Sequence, residues 1–534
     1  MNTSRLLLAG MMIAGLAACD GGGVDLNVET NDNSTDNSTT NNIGGGGGTT
    51  NPCAAYTVPD SETLRQGTFD GRNCVYNAAF VGKTNPLLVD VTIPFITGVH
   101  IFQDSLFVGQ NVSSGAAPAG GTGPKLTIEA GNTLAFSNSA DYILVNRGSQ
   151  IIANGSPAAP ITLTAVADAV NGTAGANDVS LWGGLVINGN GITNNCTDEQ
   201  RASDQCHVAA EGQPSNYGGN DNADNSGVLR YVIVKHTGFE VAPGDELNGI
   251  TFNAVGSGTV VENVQAYSTY DDGFEFFGGA VQVKNAIILY ARDDSLDYSD
   301  GWVGGVDTAL VIQWKSDGNR CIEGDNIGSS RSDAGAPLDT APLTEPVIRN
   351  LTCITSNTDV NTHGDSEGPL ARQGAKIRLE DSIVYGGYGT IVNGATSNEC
   401  LEIESPVSLA FAASGESWFK NSLIACEEAA KGTLPNGDPL REWAVGANPS
   451  TNGANYSFNA GSVIITDSAN ANVAVLEPGT FYTAATITDA NGDTIAMTPA
   501  SGKLGAVTSG DDWTAPWAFG LRANNADEPL WFAQ

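Results

Sequence analysis

The chain has 534 residues, with 59 Asp and Glu against 23 Lys and Arg and a formal net charge of −36. Such a chain repels a phosphate backbone, so nucleic acid is excluded as a partner. The same acidity suits divalent cations or salty surroundings.

Residues 1–18 read as an export signal: Arg5, the apolar run LLLAGMMIAGL, then LAA before Cys19. The run is too short for a spanning helix. Small residues followed by cysteine resemble the lipobox of bacterial lipoproteins. That resemblance implies cleavage before Cys19 and a diacylglycerol on its sulfur. With palmitate-like acyl chains, each buried methylene contributes about 0.8 kcal/mol, which makes a stable membrane anchor. Residues 19–52 continue as a Gly/Asn/Thr tether (NDNSTDNSTTNNIGGGGGTTN) with too little to bury to become ordered. As a flexible coil it spans roughly 30 Å. The expected location is the cell envelope, as an outer-membrane lipoprotein on the exposed face.

Residues 53–119 are expected to form an N-terminal cap, because a stack of strands exposes apolar side chains and an unpaired edge at its end. From there short apolar strands recur, broken by Gly, Asn and Asp and without helical periodicity. A set of them shares one pattern, V261-E-N263-V, V283-K-N285-A, I348-R-N350-L, L379-E-D381-S and F419-K-N421-S. The closest-spaced units are 22 to 24 residues long, one turn of a coil of parallel strands. The Asn positions suit a left-handed bend between strands, which a short amide tolerates.

The phrases LTIEAG, RGSQIIANGS, PITLTA, LWGGLVINGNG, AAEGQPSNYGG, DNSGVLRYVIVKHTG, NGITFNAVGSGTVVENVQ and DDGFEFFGG follow one another through about 120–330. Their order resembles a family of bacterial right-handed parallel β-helix surface lipoproteins, which share the architecture of pectate lyases and mostly lack an assigned activity. The expected fold is all-β: a right-handed parallel β-helix solenoid over 120–460, with the N-terminal cap and an irregular C-terminal plug over 461–534. Trp513, Trp517 and Trp531 are expected to pack over the last rung, with a carbohydrate-stacking platform as the alternative.

Within the solenoid, YDDGFEFFGG (270–279) superposes on RDDSLDYSDG (292–301) at an offset of 22. Asp271 falls on Asp293, Asp272 on Asp294 and Glu275 on Asp297, with Asp317 a further 23 residues beyond Asp294. Rungs rise about 4.8 Å, and two carboxylates at that separation repel by about 3.5 kcal/mol at an effective dielectric near 20. Something must offset this. Calcium, which takes six to eight oxygens in flexible geometry, is one answer, with Asp300, Glu323 and Asp325 completing the ligand set. Ion pairs with Arg292 and Lys315, or solvation of the acids at turns, are the alternatives.

Eight cysteines remain after Cys19, and an even number in an exported chain argues for disulfides. Neighbours in sequence pair Cys53 with Cys74, Cys196 with Cys206, Cys321 with Cys353 and Cys400 with Cys426. His207, His236 and His363 stand outside any HExxH motif, and no phosphate loop occurs. A lipid anchor, a spacer and a long acidic rod fit a protein that binds glycans, another cell surface or the substrate of an outer-membrane transporter. A calcium-dependent polysaccharide lyase with Arg292 or Lys315 as base is the alternative, and a purely structural surface component is a third reading. Enzymatic activity stays open, with binding preferred.

Overall fold

The computed structural model describes residues 51–534 except 213, 243–244, 315–316, 356–365, 387–398, 426–429, 445–462, 465–485, 489–493, 497–500, 509–510 and 523–534. Cys19 with its signal and most of the tether, and also Lys315, His363, Cys426 and Trp531, lie outside the described residues.

Two sets of parallel ladders wind around one core. A nine-stranded sheet runs from Leu106–Val108 through Tyr142–Val145, Gly184–Asn188, Ile250–Asn253, Phe274–Phe277, Leu296–Ser299, Arg320–Asp325 and Glu367–Arg372 to Glu402–Ile403. The second set contains long strands such as Val260–Thr269 and Gln282–Ala291, which bend in the middle and so supply two faces of each coil. The bend lies at Tyr231, Asn263, Asn285, Thr308 and Asn350, and on the last rungs at Asp381 and Asn421, all with φ between 46° and 73°. The expected left-handed Asn positions are therefore real, and Asn285 Nδ2 donates to Asn263 Oδ1 at 3.0 Å along the axis. The fold is all-β and a parallel β-helix, as the repeat implied.

The rung length is not constant. Val261 pairs with Val283 and Val283 with Val306, but Val306 pairs with Ile348 and Ile348 with Leu379. Some of the extra residues leave the coil as insertions after strands of the nine-stranded sheet. One (189–226) carries a short helix, Asp198–Ala202, and the hairpin Val208–Ala209 with Asn216–Tyr217. Another carries Ser329–Asp333. Parallel pairing starts at Cys74–Tyr76 with His100–Phe102, so coils already form within residues 53–119, after two antiparallel hairpins.

Inside, aromatic rings stack rung on rung. Phe252, Phe276 and Trp302 lie 5.0 and 4.2 Å apart, and Phe102, Phe136 and Trp182 lie 5.5 and 4.6 Å apart. Three disulfides match the sequence pairing, Cys53–Cys74, Cys196–Cys206 and Cys321–Cys353. Cys400 is also disulfide-bonded.

The described C-terminal stretch does not cover the last rung. Residues 501–508 and 511–522 run back along the flank as a strap. Gly505 N donates to Asp381 O, Ala506 N to Thr352 Oγ1, and Phe519 N to Gln265 Oε1. The reason is an outward apolar stripe of Ile233, Tyr267, Ile287, Leu289, Leu310, Ile312, Ile354, Ile383 and Leu423, onto which Leu504, Trp517 and Leu521 pack. Tyr267 and Tyr290 are buried in this contact, with Trp314 packed against it.

Candidate functional site

The acidic repeat sits at one corner of the coil and on the outer face of the nine-stranded sheet. Side chains alternate along a strand: Phe274 and Phe276 point into the core, so Glu275 between them points out. Cross-strand register places Thr251, Glu275, Asp297, Glu323, Leu370 and Glu402 in one column. At the corner preceding these strands, Asn248 Oδ1 accepts from Asp272 N (3.1 Å), Asp272 Oδ1 from Asp294 N (2.9 Å) and Asp294 Oδ1 from Arg320 N (2.6 Å). Each side-chain oxygen thus satisfies a backbone donor of the next rung, which the bend has taken out of the sheet ladder.

That answers why the cluster repeats, but leaves its charge. Carboxylate oxygens lie within 4.8 Å of one another in three overlapping groups: Asp271, Asp272 and Asp293; Asp272, Glu275 and Asp297; Asp294, Asp297 and Glu323. Asp272, Glu275 and Asp294 are buried, and Asp297 Oδ1 is buried with no hydrogen-bond partner. Burial first, then neighbouring acids, pushes Asp271, Asp272, Glu275, Asp294 and Asp297 well above the usual carboxylate range. Glu211, from the hairpin insertion, and Glu246 add to the repulsion on Asp271. Burial also pushes Glu323 up to about 7 and Asp325 up to about 6, against the pull of Arg372.

Two expected members fall elsewhere. Asp317 is not in the column, because three extra residues in this turn shift the register from 23 to 26, so Arg320 N meets Asp294 and Asn319 Nδ2 meets Asp293 Oδ1 at 3.0 Å. Asp317 instead lies 3.5 Å from Arg292 Nε. Arg292 also donates to Asn177 O at 2.6 Å, which turns it from the column. Asp300 and Asp325 are engaged by arginines: Arg331 lies 3.3 Å from Asp300, and Arg372 lies 3.0 Å from Asp325 and pairs with Glu323.

The column opens into a cleft of about 560 Å³ between Glu275, Asp297, Glu323 and the insertion residues Glu211 and Tyr217. Asn195 and Arg331 are shared with a second cleft of about 730 Å³, walled by Thr197, Asp198 and Pro342. Arg201 and Asn220 link that one to a third, of about 220 Å³, beside Arg147 and His207. The two insertions thereby border a row of adjoining clefts beside the column.

The sequence pattern did not disclose a second acidic group, Glu367, Glu399 and Glu402, all buried. Its members are 32 and 3 residues apart, outside the 22-residue period. Here cations do the neutralising: Arg320 pairs with Glu367 and, at 3.1 Å, with Glu402, while Lys431 lies 3.0 and 2.6 Å from Glu399 and Glu402. By contrast, Asp272, Glu275, Asp294 and Asp297 have no ion pair among the described residues.

A family model for a pectate-lyase like beta helix domain matches residues 118–413, more than half of the chain. No curated protein and no solved structure matches it. The parallel coil, its bent strands and its stacked core agree with that match, and the chain belongs to the pectate-lyase-like β-helix family.

Proposed function

We propose that this β-helix is a calcium-dependent binding protein of the cell envelope, held to a membrane by lipid on Cys19 and taking glycans in the clefts beside its carboxylate column. One observation carries the metal reading: carboxylates of successive rungs converge, Asp272, Glu275, Asp294 and Asp297 have no ion pair among the described residues, and the buried Asp297 Oδ1 has no hydrogen-bond partner among them. Carboxylate oxygens are hard ligands of the kind calcium takes. Asp272, Glu275, Asp294, Asp297 and Glu323 are the residues that would hold it. Bound calcium would remove the repulsion and present a positive centre to a sugar carboxylate or hydroxyl in the clefts. The lyase alternative needs a free base near this centre; Arg292 is tied to Asp317 and Asn177.

The test is calorimetric titration of calcium into chelator-treated protein, with melting curves in parallel. A ligand at a hundred times its dissociation constant adds about 2.7 kcal/mol, and Asp297→Asn with Asp272→Asn should abolish that gain. Equal melting points with calcium and with chelator would remove the metal. Acidic glycans retained without ultraviolet-absorbing unsaturated products support binding; products that vanish in Arg292→Ala would assign a lyase instead.

A further inference from the structure

Among the described non-glycine residues with positive φ, Thr308 is the only β-branched one, at φ 73°. A branched Cβ is a poor fit to this conformation, whereas Asn enters it readily. The rungs on either side place Asn285 and Asn350 at the same position, so the chain has forgone the residue that suits the bend. Backbone outliers of this kind persist where the surroundings and a function hold them. Thr308 is buried, and its hydroxyl makes no hydrogen bond with a described side chain.

At this break in the amide ladder the surface opens into a pocket of about 340 Å³. Asn285, Thr308 and Asn350 line it from the coil, and Trp513 with Lys503 line it from the strap. The half-buried Trp513 is fixed by its Nε1–H, which donates to Ala506 O at 2.9 Å. Charge is balanced around the pocket, Lys284 and Lys503 against Asp307 and Asp511, in a chain whose net charge is −36. The volume lies at the lower end of the range of about 300–1,000 Å³ for small-molecule sites.

An indole beside hydroxyl and amide groups, with no net charge, suits a molecule having an apolar face and a ring of hydroxyls. We propose that this pocket binds one unit of a neutral saccharide, with Trp513 as the stacking surface and Thr308 as a hydroxyl contact where an amide would fill the floor. The site is separate from the carboxylate column and requires no metal.

The experiment is titration of the full chain, in chelator, with glucose, galactose, mannose, N-acetylglucosamine, maltose and cellobiose, followed by saturation-transfer NMR and calorimetry. At least one sugar should bind, and Trp513→Ala should weaken it by about tenfold or more. Because Trp513→Ala also loosens the strap, Thr308→Asn decides the matter. It should raise the melting temperature by relieving the bend and still weaken the sugar by about tenfold. No binding of any of the six up to about 10 mM, or equal binding by wild type and Thr308→Asn, would overturn the proposal. Because chelator is present throughout, failure here is distinct from failure of the calcium reading.

Discussion

Asp272 Oδ1 accepts a hydrogen bond from the backbone N–H of Asp294, 2.9 Å away and one rung further on. The oxygen is structural, and the charge it carries is a burden among its neighbours. Asp272→Ala orphans a buried donor, which costs about 1–3 kcal/mol. Asp272→Asn keeps the oxygen and removes the charge. In chelator, urea unfolding should therefore rank Asn at or above wild type and Ala below both. An Asn variant as weak as Ala would contradict the argument.

The pH dependence has a definite sign. Glu323, held up to about 7 by burial, starts from about 4.3 in an unfolded chain. The folded protein thus binds this proton more tightly, so its contribution falls as pH rises from about 4.3 to about 7. Metal-free protein should melt higher at pH 5 than at pH 8, and Glu323→Gln should flatten the slope. An identical slope in the variant would remove Glu323 as its source.

Cys321 and Cys353 join the nine-stranded sheet to the bent strands across a 32-residue separation, both fully buried. A loop of that size is worth about 3–4 kcal/mol in chain entropy. Replacing both cysteines with alanine should lower the urea midpoint accordingly, with a slope equal to or steeper than that of wild type because the unfolded chain is less restricted. A midpoint equal to that of wild type would contradict this.

Truncation after residue 500 removes the strap and uncovers Ile233, Tyr267, Leu289, Leu310 and Ile354. A contiguous apolar stripe of that kind drives association. The truncated protein should enhance the fluorescence of an apolar dye several-fold and sediment as larger species with rising concentration. Unchanged sedimentation and dye response would mean that the stripe is covered without the strap.

The coil was legible because its two periodicities are local. Alternation in FEFF and LDYS fixes which side faces the core, and Asn at the bend fixes where strands turn. Offsets of 22 and 23 put Asp272 beside Asp294, but insertions then break the count, so Asp317 was misplaced and Glu402 went unseen in the same column. Glu211 and Arg331 reach the cleft from insertions, and no period links them to it; Arg372 closes the strand Glu367–Arg372, whose rung lies beyond an insertion that breaks the count. Trp513 and Trp517 show the same limit. An aromatic-rich tail signals a surface to cover, but only the outward stripe of the coil says which one.

The bond between Gln265 and Phe519 closes a loop of 254 residues. A linear array of repeats can fray from its end one unit at a time, since each unit answers only to its neighbours. Here the strap is fastened to coils laid down near the chain's middle, so peeling the later coils must also tear the fastening. The array has been converted from a stack of cards into a bound book, and it should lose its pages together.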